Sequence, residues 1–177
     1  GRMVLRLEDL DPDRCSQGYC DQVMRDLEWL GLDWDGGPVY QSRRTDLYAQ
    51  AFRELEEKGL LYPCFCTRAE RLSASAPHRS DGAAVYSGRC GHLSRAEREE
   101  LSAQRRPAWR VRVPEREVSF TDLLQGEYRE NLARDCGDFI LRRSDGVFAY
   151  QLAVVVDDGA MGVTQVVRGS DLLSSTP

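Results

Sequence analysis

Apolar positions gather first at Met3–Leu7 and are closed off by an acidic turn, Glu8-Asp9-Leu10-Asp11-Pro12-Asp13. A short apolar run bounded by turn residues reads as a buried strand. Ser16 follows as the cap of a helix that carries Val23, Leu27 and Leu30 on one face and stops before Gly31. Gly36-Gly37-Pro38 marks a turn. Ser42 is then expected to cap a second helix, with Leu47, Ala51 and Leu55 inward and Gly59 at its end. Strand, helix, helix is the rhythm of an α/β protein.

The pattern changes at Tyr62–Leu93, which has little apolar periodicity, is rich in Ser, Ala, Gly and Arg, and holds three cysteines and both histidines. It reads as an inserted lobe, which divides the chain into 1–61, 62–93 and 94–177. Ser94 and Glu97 have the spacing of a capping box opening a charged helix over 95–104. From Pro107 the period becomes two, with Trp109, Val111 and Val113 alternating with Arg110 and Arg112. Phe139–Arg142 and Val147–Tyr150 flank Ser144-Asp145-Gly146, a hairpin signal. Leu152–Val156 is expected to be a continuous apolar strand ending at Asp157-Asp158, and Thr164–Val167 another, ending at Arg168.

Composition narrows the class. With 177 residues the chain can bury a sizeable core, and 41% hydrophobic with 30% charged residues describes an ordinary globular protein. Lys and Arg number 24 against 29 Asp and Glu, a net charge of −5, so a polyanionic partner would need a local basic patch. No run approaches the roughly 20 apolar residues of a membrane span, and residues 1–13 do not read as a signal peptide. Six cysteines in a core-rich chain of this size suggest thiols in a reducing, cytoplasmic setting. Cys15, Cys20 and Cys136 read as small packing residues.

Two constellations carry candidate chemistry. Cys64-x-Cys66 followed by Tyr86-x3-Cys90 and His92 offers a tetrahedral, thiolate-rich metal site. Three cysteines plus one of Tyr86, His78 or His92 would close it, with a structural role. The second is a set of polar residues at strand ends: Glu8, Tyr150 and Arg168. Ligands of open α/β sheets sit beyond the carboxyl ends of strands. A carboxylate there can take an ammonium group and a guanidinium can grip a carboxylate, so the three could hold an amino acid. There is no phosphate-binding G-x-x-x-x-G-K-[ST] or G-x-G-x-x-G, no G-x-S-x-G and no H-E-x-x-H. The arginines at 95, 98, 105 and 106 alternate with glutamates and read as a solvated helix face rather than a nucleic-acid patch.

Several strings taken together resemble one family. They are Val4-Leu-Arg-Leu-Glu-Asp-Leu-Asp-Pro-Asp-Arg14, Tyr40-Gln-Ser-x-Arg44, Cys64-Phe-Cys-Thr-Arg68, Tyr86-x-Gly-x-Cys90 and Asp138-Phe-Ile-Leu-Arg-Arg-Ser-Asp-Gly146. Phe148-Ala-Tyr-Gln-Leu-Ala-Val-Val-Val-Asp-Asp158 and Gly162-Val-Thr-x-Val-Val-Arg-Gly-x-Asp171 complete the series. In this order they resemble the catalytic core of class I glutamyl-tRNA synthetases. Leu10-Asp11-Pro12, Phe148–Leu152 and the Tyr-x3-Cys spacing resemble, more narrowly, the short stand-alone branch of that family that modifies tRNA(Asp).

The resemblance implies a Rossmann-like nucleotide-binding core, incomplete here, with an inserted zinc-binding lobe. It implies Cys64, Cys66, Tyr86 and Cys90 as ligands of a structural zinc, with His92 as the rival to Tyr86. It also implies Glu8, Tyr150 and Arg168 as the glutamate site. The implied reaction is ATP-dependent activation of glutamate, with Mg2+, and its transfer to the queuosine base in the anticodon of tRNA(Asp). The expected partners are glutamate, ATP and tRNA(Asp), with no membrane association and a monomeric state. The family's HIGH-type and KMSKS-type ATP motifs would lie before Val4 and beyond Pro177. The expectation is therefore an internal fragment, inactive alone, in which no catalytic residue is identified. Two other readings stand beside it: part of a full synthetase charging tRNA(Glu), and a non-catalytic zinc-stabilised RNA-binding module.

Overall fold

The first apolar run supplies β1 (Arg6–Leu7), which pairs in parallel with β2 (Val39–Tyr40) after a crossover through α1 (Gln17–Trp29). The result is a β-α-β unit, with a short second strand that the strand, helix, helix pattern did not include. In this computed structural model the described residues are 1–67 and 85–176. Ser16 takes the extended N-cap conformation, and α1 closes where Gly31 adopts φ 75°. The expected inward face of α1 is only partly used: Cys20 is buried and Leu27 half-buried, whereas Val23 and Leu30 are exposed.

Ser42 does not cap the second helix. A 3-10 turn (Gln41–Arg43) intervenes, and α2 (Thr45–Glu57) starts after Arg44. The core stripe of α2 is Tyr48 and Phe52, at i and i+4, with Ala51 and Leu55 beside them, while Leu47 is exposed. The aromatic pair buries more surface than the leucine stripe would, so it sets the rotation of the helix.

Beyond α2 the chain builds an antiparallel sheet in the order β3 (Leu61–Cys64), β4 (Ala108–Val111), β7 (Ile140–Arg142). Leu61 faces Val111 and Tyr62 faces Arg110 across the first pair. The first residues of the expected 62–93 lobe are thus sheet residues. Alternation gives the sheet two covered faces. Leu61, Trp109 and Val111 pack with Tyr48, Phe52, Leu141, Leu152 and Ala153, and Phe52 meets Trp109 edge to face at 5.7 Å. Tyr62, Cys64 and Arg110 look the other way. The period of two at 108–113 is real, but its arginine face is not solvated: Arg110 is buried.

α3 (Arg95–Gln104) opens with the capping box, Ser94 and Glu97 exchanging both hydrogen bonds. β5 (Glu117–Asp122) and β6 (Gly126–Asn131) form a hairpin that the sequence pattern did not announce, followed by the short α4 (Leu132–Asp135). The expected 139–150 hairpin keeps its turn, but its second arm shrinks to a single bridge between Arg142 and Phe148.

The largest correction concerns Leu152–Val156. It is no strand but the centre of α5 (Tyr150–Met161). A five-residue apolar run cannot distinguish a strand from a buried helix. The burial pattern is helical: Leu152, Ala153 and Asp157 face inward while Val155 is 70% exposed. Gly162, at φ 70°, ends the helix in the left-handed conformation that glycine adopts without cost. Thr164–Val167 forms no strand either. Val166 and Val167 are exposed, and among the described residues no strand pairs with them.

Candidate functional site

The sheet's second face carries the cysteine site. Cys64 ends β3 and points to the same side as Tyr62, and the chain leaves the strand through Phe65 and Cys66. Residues 85–88 and a 3-10 turn (Arg89–His92) bring Tyr86 and Cys90 back against them. The ligand atoms of Cys64, Cys66 and Cys90 lie within 4.8 Å of one another. Cys66 Sγ is 3.6 Å from Cys90 Sγ, and the Tyr86 hydroxyl is 3.6 Å from Cys64 Sγ and 3.5 Å from Cys66 Sγ. Sulfurs about 2.3 Å from a tetrahedral zinc stand roughly 3.8 Å apart, so the spacing fits such an ion. His92 is exposed and outside the cluster, and His78 lies outside the described residues.

Second contacts hold this arrangement. The Phe65 N–H donates to Cys90 Sγ at 3.4 Å, and the Cys90 N–H donates to the Tyr86 hydroxyl at 3.1 Å. Arg110 donates through Nε to Cys64 Sγ at 3.3 Å, lies over the Tyr86 ring at 3.8 Å, and donates through Nη1 to the Asp138 carbonyl at 2.6 Å. Arg112 stacks on Tyr62 at 4.6 Å and donates to the Gly91 carbonyl at 2.7 Å, strapping the 3-10 turn to the sheet. The Asp138 carboxylate accepts from the Tyr62 hydroxyl at 2.6 Å and the Val113 N–H at 2.9 Å. Gly137 allows this approach. Its φ is 70°, and a Cβ there would meet Val85 Cγ1 at 2.6 Å.

The thiols differ in their ease of ionisation. Burial works against the Cys64 thiolate, yet the Cys66 N–H, Arg110 and Tyr86 outweigh it and hold the thiol below its ordinary value. Burial pushes the Cys66 thiol up to about 11, and the neighbouring Cys64 adds to the rise. Burial likewise raises the Tyr86 phenol. Without a cation, one thiolate discourages the next; a dication among the three sulfurs would reverse this and favour all of them ionised.

Glu8, Tyr150 and Arg168 occupy a different part of the molecule's hydrogen-bond map. Glu8 directly follows β1, is exposed, and lies 3.5 Å from Arg6. Tyr150 opens α5 and is exposed, and Arg168 sits half-buried in the irregular segment after α5. Among the described residues, no hydrogen bond or ion pair joins the three.

Arg6, beside Glu8, also borders a centre that the sequence reading missed. Asp157, fully buried on α5, accepts from Arg44 Nε at 2.6 Å, Gln41 Nε2 at 2.9 Å and the Tyr48 hydroxyl at 2.8 Å. Arg6 approaches it at 3.9 Å and bonds Asp158 at 2.6 Å. The Tyr40-Gln-Ser-x-Arg44 string thus works as a clamp: Gln41 and Arg44 reach Asp157, while Ser42 bonds Asp9 through its hydroxyl at 2.6 Å and its N–H at 2.8 Å. The signal was present, since the sequence offered a buried-looking apolar run ending in two aspartates.

The sequence matches the family of class I tRNA synthetases (E and Q), catalytic domain, over residues 1–177. A protein of Neisseria meningitidis named glutamyl-Q tRNA(Asp) synthetase is 49% identical over 177 residues, covering all of this chain and 58% of that protein. A protein of the same name from Nitratidesulfovibrio vulgaris is 53% identical over 188 residues, again with 58% of its length covered. The chain therefore spans under two thirds of the relatives it matches. Among solved structures, the glutamate-tRNA synthetase of Elizabethkingia anophelis superposes with a TM-score of 0.81 at 26% identity, over 99% of this chain and 39% of that one. A glutamate tRNA ligase from Elizabethkingia meningosepticum, solved in complex with its amino acid, gives a TM-score of 0.79 at 26% identity.

Proposed function

This chain belongs to the class I tRNA synthetases of the E and Q type, whose catalytic domain it matches over residues 1–177, and on that premise we propose that it serves in glutamylating tRNA(Asp). In this reading glutamate is activated by ATP and Mg2+: a carboxylate oxygen attacks the α-phosphorus, pyrophosphate leaves, and glutamyl-adenylate results. The glutamyl group then passes to the queuosine base in the anticodon of tRNA(Asp), releasing AMP. The observation that carries this reading is the roughly one-half identity, over the whole chain, to proteins named for that activity. The test uses the complete protein with purified tRNAs and labelled glutamate. Glutamylation of tRNA(Asp) bearing queuosine, and not of tRNA(Glu), is the expected result; charging of tRNA(Glu) would overturn it. The superposition on glutamate-tRNA synthetases keeps that second reading in view, at much lower identity.

Glu8, Tyr150 and Arg168 are the proposed glutamate site. A carboxylate at Glu8 suits the substrate ammonium, the Arg168 guanidinium suits a bidentate grip on a carboxylate, and the Tyr150 hydroxyl adds a hydrogen bond. Their task is positioning, the main source of rate in adenylate formation. Arg168→Ala should raise KM for glutamate in pyrophosphate exchange far more than KM for ATP.

The proposed metal is a structural zinc held by Cys64, Cys66, Cys90 and Tyr86. The ion would supply the cross-link that this lobe's sparse apolar packing lacks. The close approach of the Tyr86 hydroxyl to two sulfurs, with His92 exposed, favours the tyrosine as fourth ligand. Tyr86→Phe should therefore weaken zinc retention. Unchanged stoichiometric zinc in that variant would transfer the role to His92. All six cysteines are unpaired, which supports a reducing, cytoplasmic setting. Among the described residues no helix is long and apolar enough to cross a membrane.

A further inference from the structure

Arg110 is 2% exposed, a rare place for a guanidinium without a paired carboxylate. Among the described residues, no carboxylate oxygen lies within ion-pair distance of it. Asp138 offers it only a backbone carbonyl, its carboxylate being taken by Tyr62 and Val113. Nη2 is buried with no hydrogen-bond partner among the described residues. Among the described residues, the one group of anionic character that Arg110 touches is the Cys64 sulfur, and its flat face covers the Tyr86 ring.

We propose that Arg110 is the positioning residue and counter-charge of the metal centre, binding the Cys64 thiolate from outside and fixing the Tyr86 ring in the orientation that points its hydroxyl at the sulfurs. The inference rests on the metal reading above and adds to it a residue that is not a ligand. The charge count explains why such a residue is needed. Three thiolates around a dication, with a neutral phenol, leave one net negative charge in a buried setting. One buried guanidinium balances it. The strand register explains how it is delivered: Arg110 stands directly across from Tyr62 in the antiparallel pair, two residues before Cys64 on the same face. The cation is thus set by the rigid sheet and not by the loops that bring in Cys66, Tyr86 and Cys90. Outer-sphere partners of this kind change metal affinity by about 10–100-fold when removed.

The test compares the full chain with Arg110→Met, Arg110→Lys and the control Trp109→Phe, which alters the neighbouring strand position on the opposite face. Zinc content is measured after dialysis, zinc Kd by competition with a chromophoric chelator, and the thiolate-to-cobalt absorption band after Co2+ substitution. Arg110→Met should weaken zinc binding by about 10–100-fold and shift the cobalt band. Arg110→Lys, which keeps the charge but not the flat fork, should fall between, and it carries the test if the methionine variant does not fold. Trp109→Phe should leave Kd and spectrum unchanged. Arg110 variants with Kd within twofold of the parent and an unaltered cobalt spectrum would overturn the role and leave Arg110 a packing residue. A parent chain that takes up neither zinc nor cobalt would instead overturn the metal reading itself, and this inference with it.

Discussion

The protein buries two polar centres, and they are built on opposite principles. Around Asp157 every charge is answered within the chain: the carboxylate collects a guanidinium, an amide and a phenol at 2.6–2.9 Å. Around the cysteines, three sulfurs and a phenol crowd together at a spacing that would suit a cation, and among the described residues the positive group touching them is Arg110. The first centre is a closed electrostatic circuit that locks α5 to the 41–44 turn and α2. The second, on the proposed metal reading, is an open one that an ion would complete. A satisfied buried network specifies a fold by itself, whereas a cluster of soft donors makes local folding depend on an ion.

The comparison is broken most severely at Asp157. Asp157→Ala should destabilise the chain by about 3 kcal/mol, because it leaves the buried Gln41 and Tyr48 and the part-buried Arg44 without their shared anion. Urea unfolding followed by Trp fluorescence measures this. A loss under 1 kcal/mol would mean that Arg44 finds another partner and the circuit is not closed. Acid provides a gentler form of the same test. Burial acts to raise the Asp157 carboxyl, but Arg44, Gln41 and Tyr48 prevail and hold it below the usual value. Its contribution is therefore complete above about pH 4, the unfolded carboxylate range, and is lost as pH falls through the lower folded value. In Asp157→Asn that acid-sensitive increment should vanish, narrowing the gap to the parent as the pH drops below 4.

On the proposed metal reading, the open centre should answer to chelation. With free zinc about a hundredfold above its Kd, stripping the metal should cost about 3 kcal/mol. Hydrogen exchange should show the loss concentrated in residues 61–67 and 85–93, with α2 and α5 retained. Uniform loss across both regions would mean that the two centres unfold as one unit. Smaller again is Tyr48→Phe, which removes one donor from Asp157 Oδ2 but leaves Gln41 on the same oxygen. Its expected cost is about 2 kcal/mol by denaturant unfolding, within the range for a hydrogen bond to a charged group. It should leave zinc affinity untouched.

The same contrast explains what the sequence could show. The metal candidates fall between positions 64 and 92, close enough for spacing to announce a candidate site. The partners of Asp157 are 109–116 residues away along the chain, so no local pattern could join them. Asp157 was moreover hidden by the strand reading of Leu152–Val156, a run too short to reveal its helical period. Arg110 stayed unremarked for a different reason: the alternation at 108–113 shows which residues share a face but not what covers either face. Here helices cover one side of the sheet and the cysteine lobe the other. The β5–β6 hairpin escaped although its turn residues were there: Asp122 accepts from the Leu124 and Gln125 N–H groups and Gly126 takes φ 83°, but the two leucines between them, almost fully exposed, disguise the turn. The capping box at Ser94 and Glu97, by contrast, depends on residues three apart and was plain from the outset.

That box offers the smallest perturbation and the sharpest control. α3 is the covalent bridge from the cysteine lobe to β4, and none of its residues is buried. Ser94 Oγ accepts from the Glu97 N–H at 3.3 Å, while the Ser94 N–H donates to Glu97 Oε2 at 2.7 Å. Ser94→Ala should cost about 1 kcal/mol through the frayed first turn. Neither zinc affinity nor the acid dependence set by Asp157 should change. Combined with Asp157→Ala, its effect should add to within about 0.5 kcal/mol, as it does for sites that share no partner. If Ser94→Ala also loosens zinc, strain is passing from α3 into the 3-10 turn that presents Cys90. The cysteine centre would then depend on its covalent frame as well as on its ion.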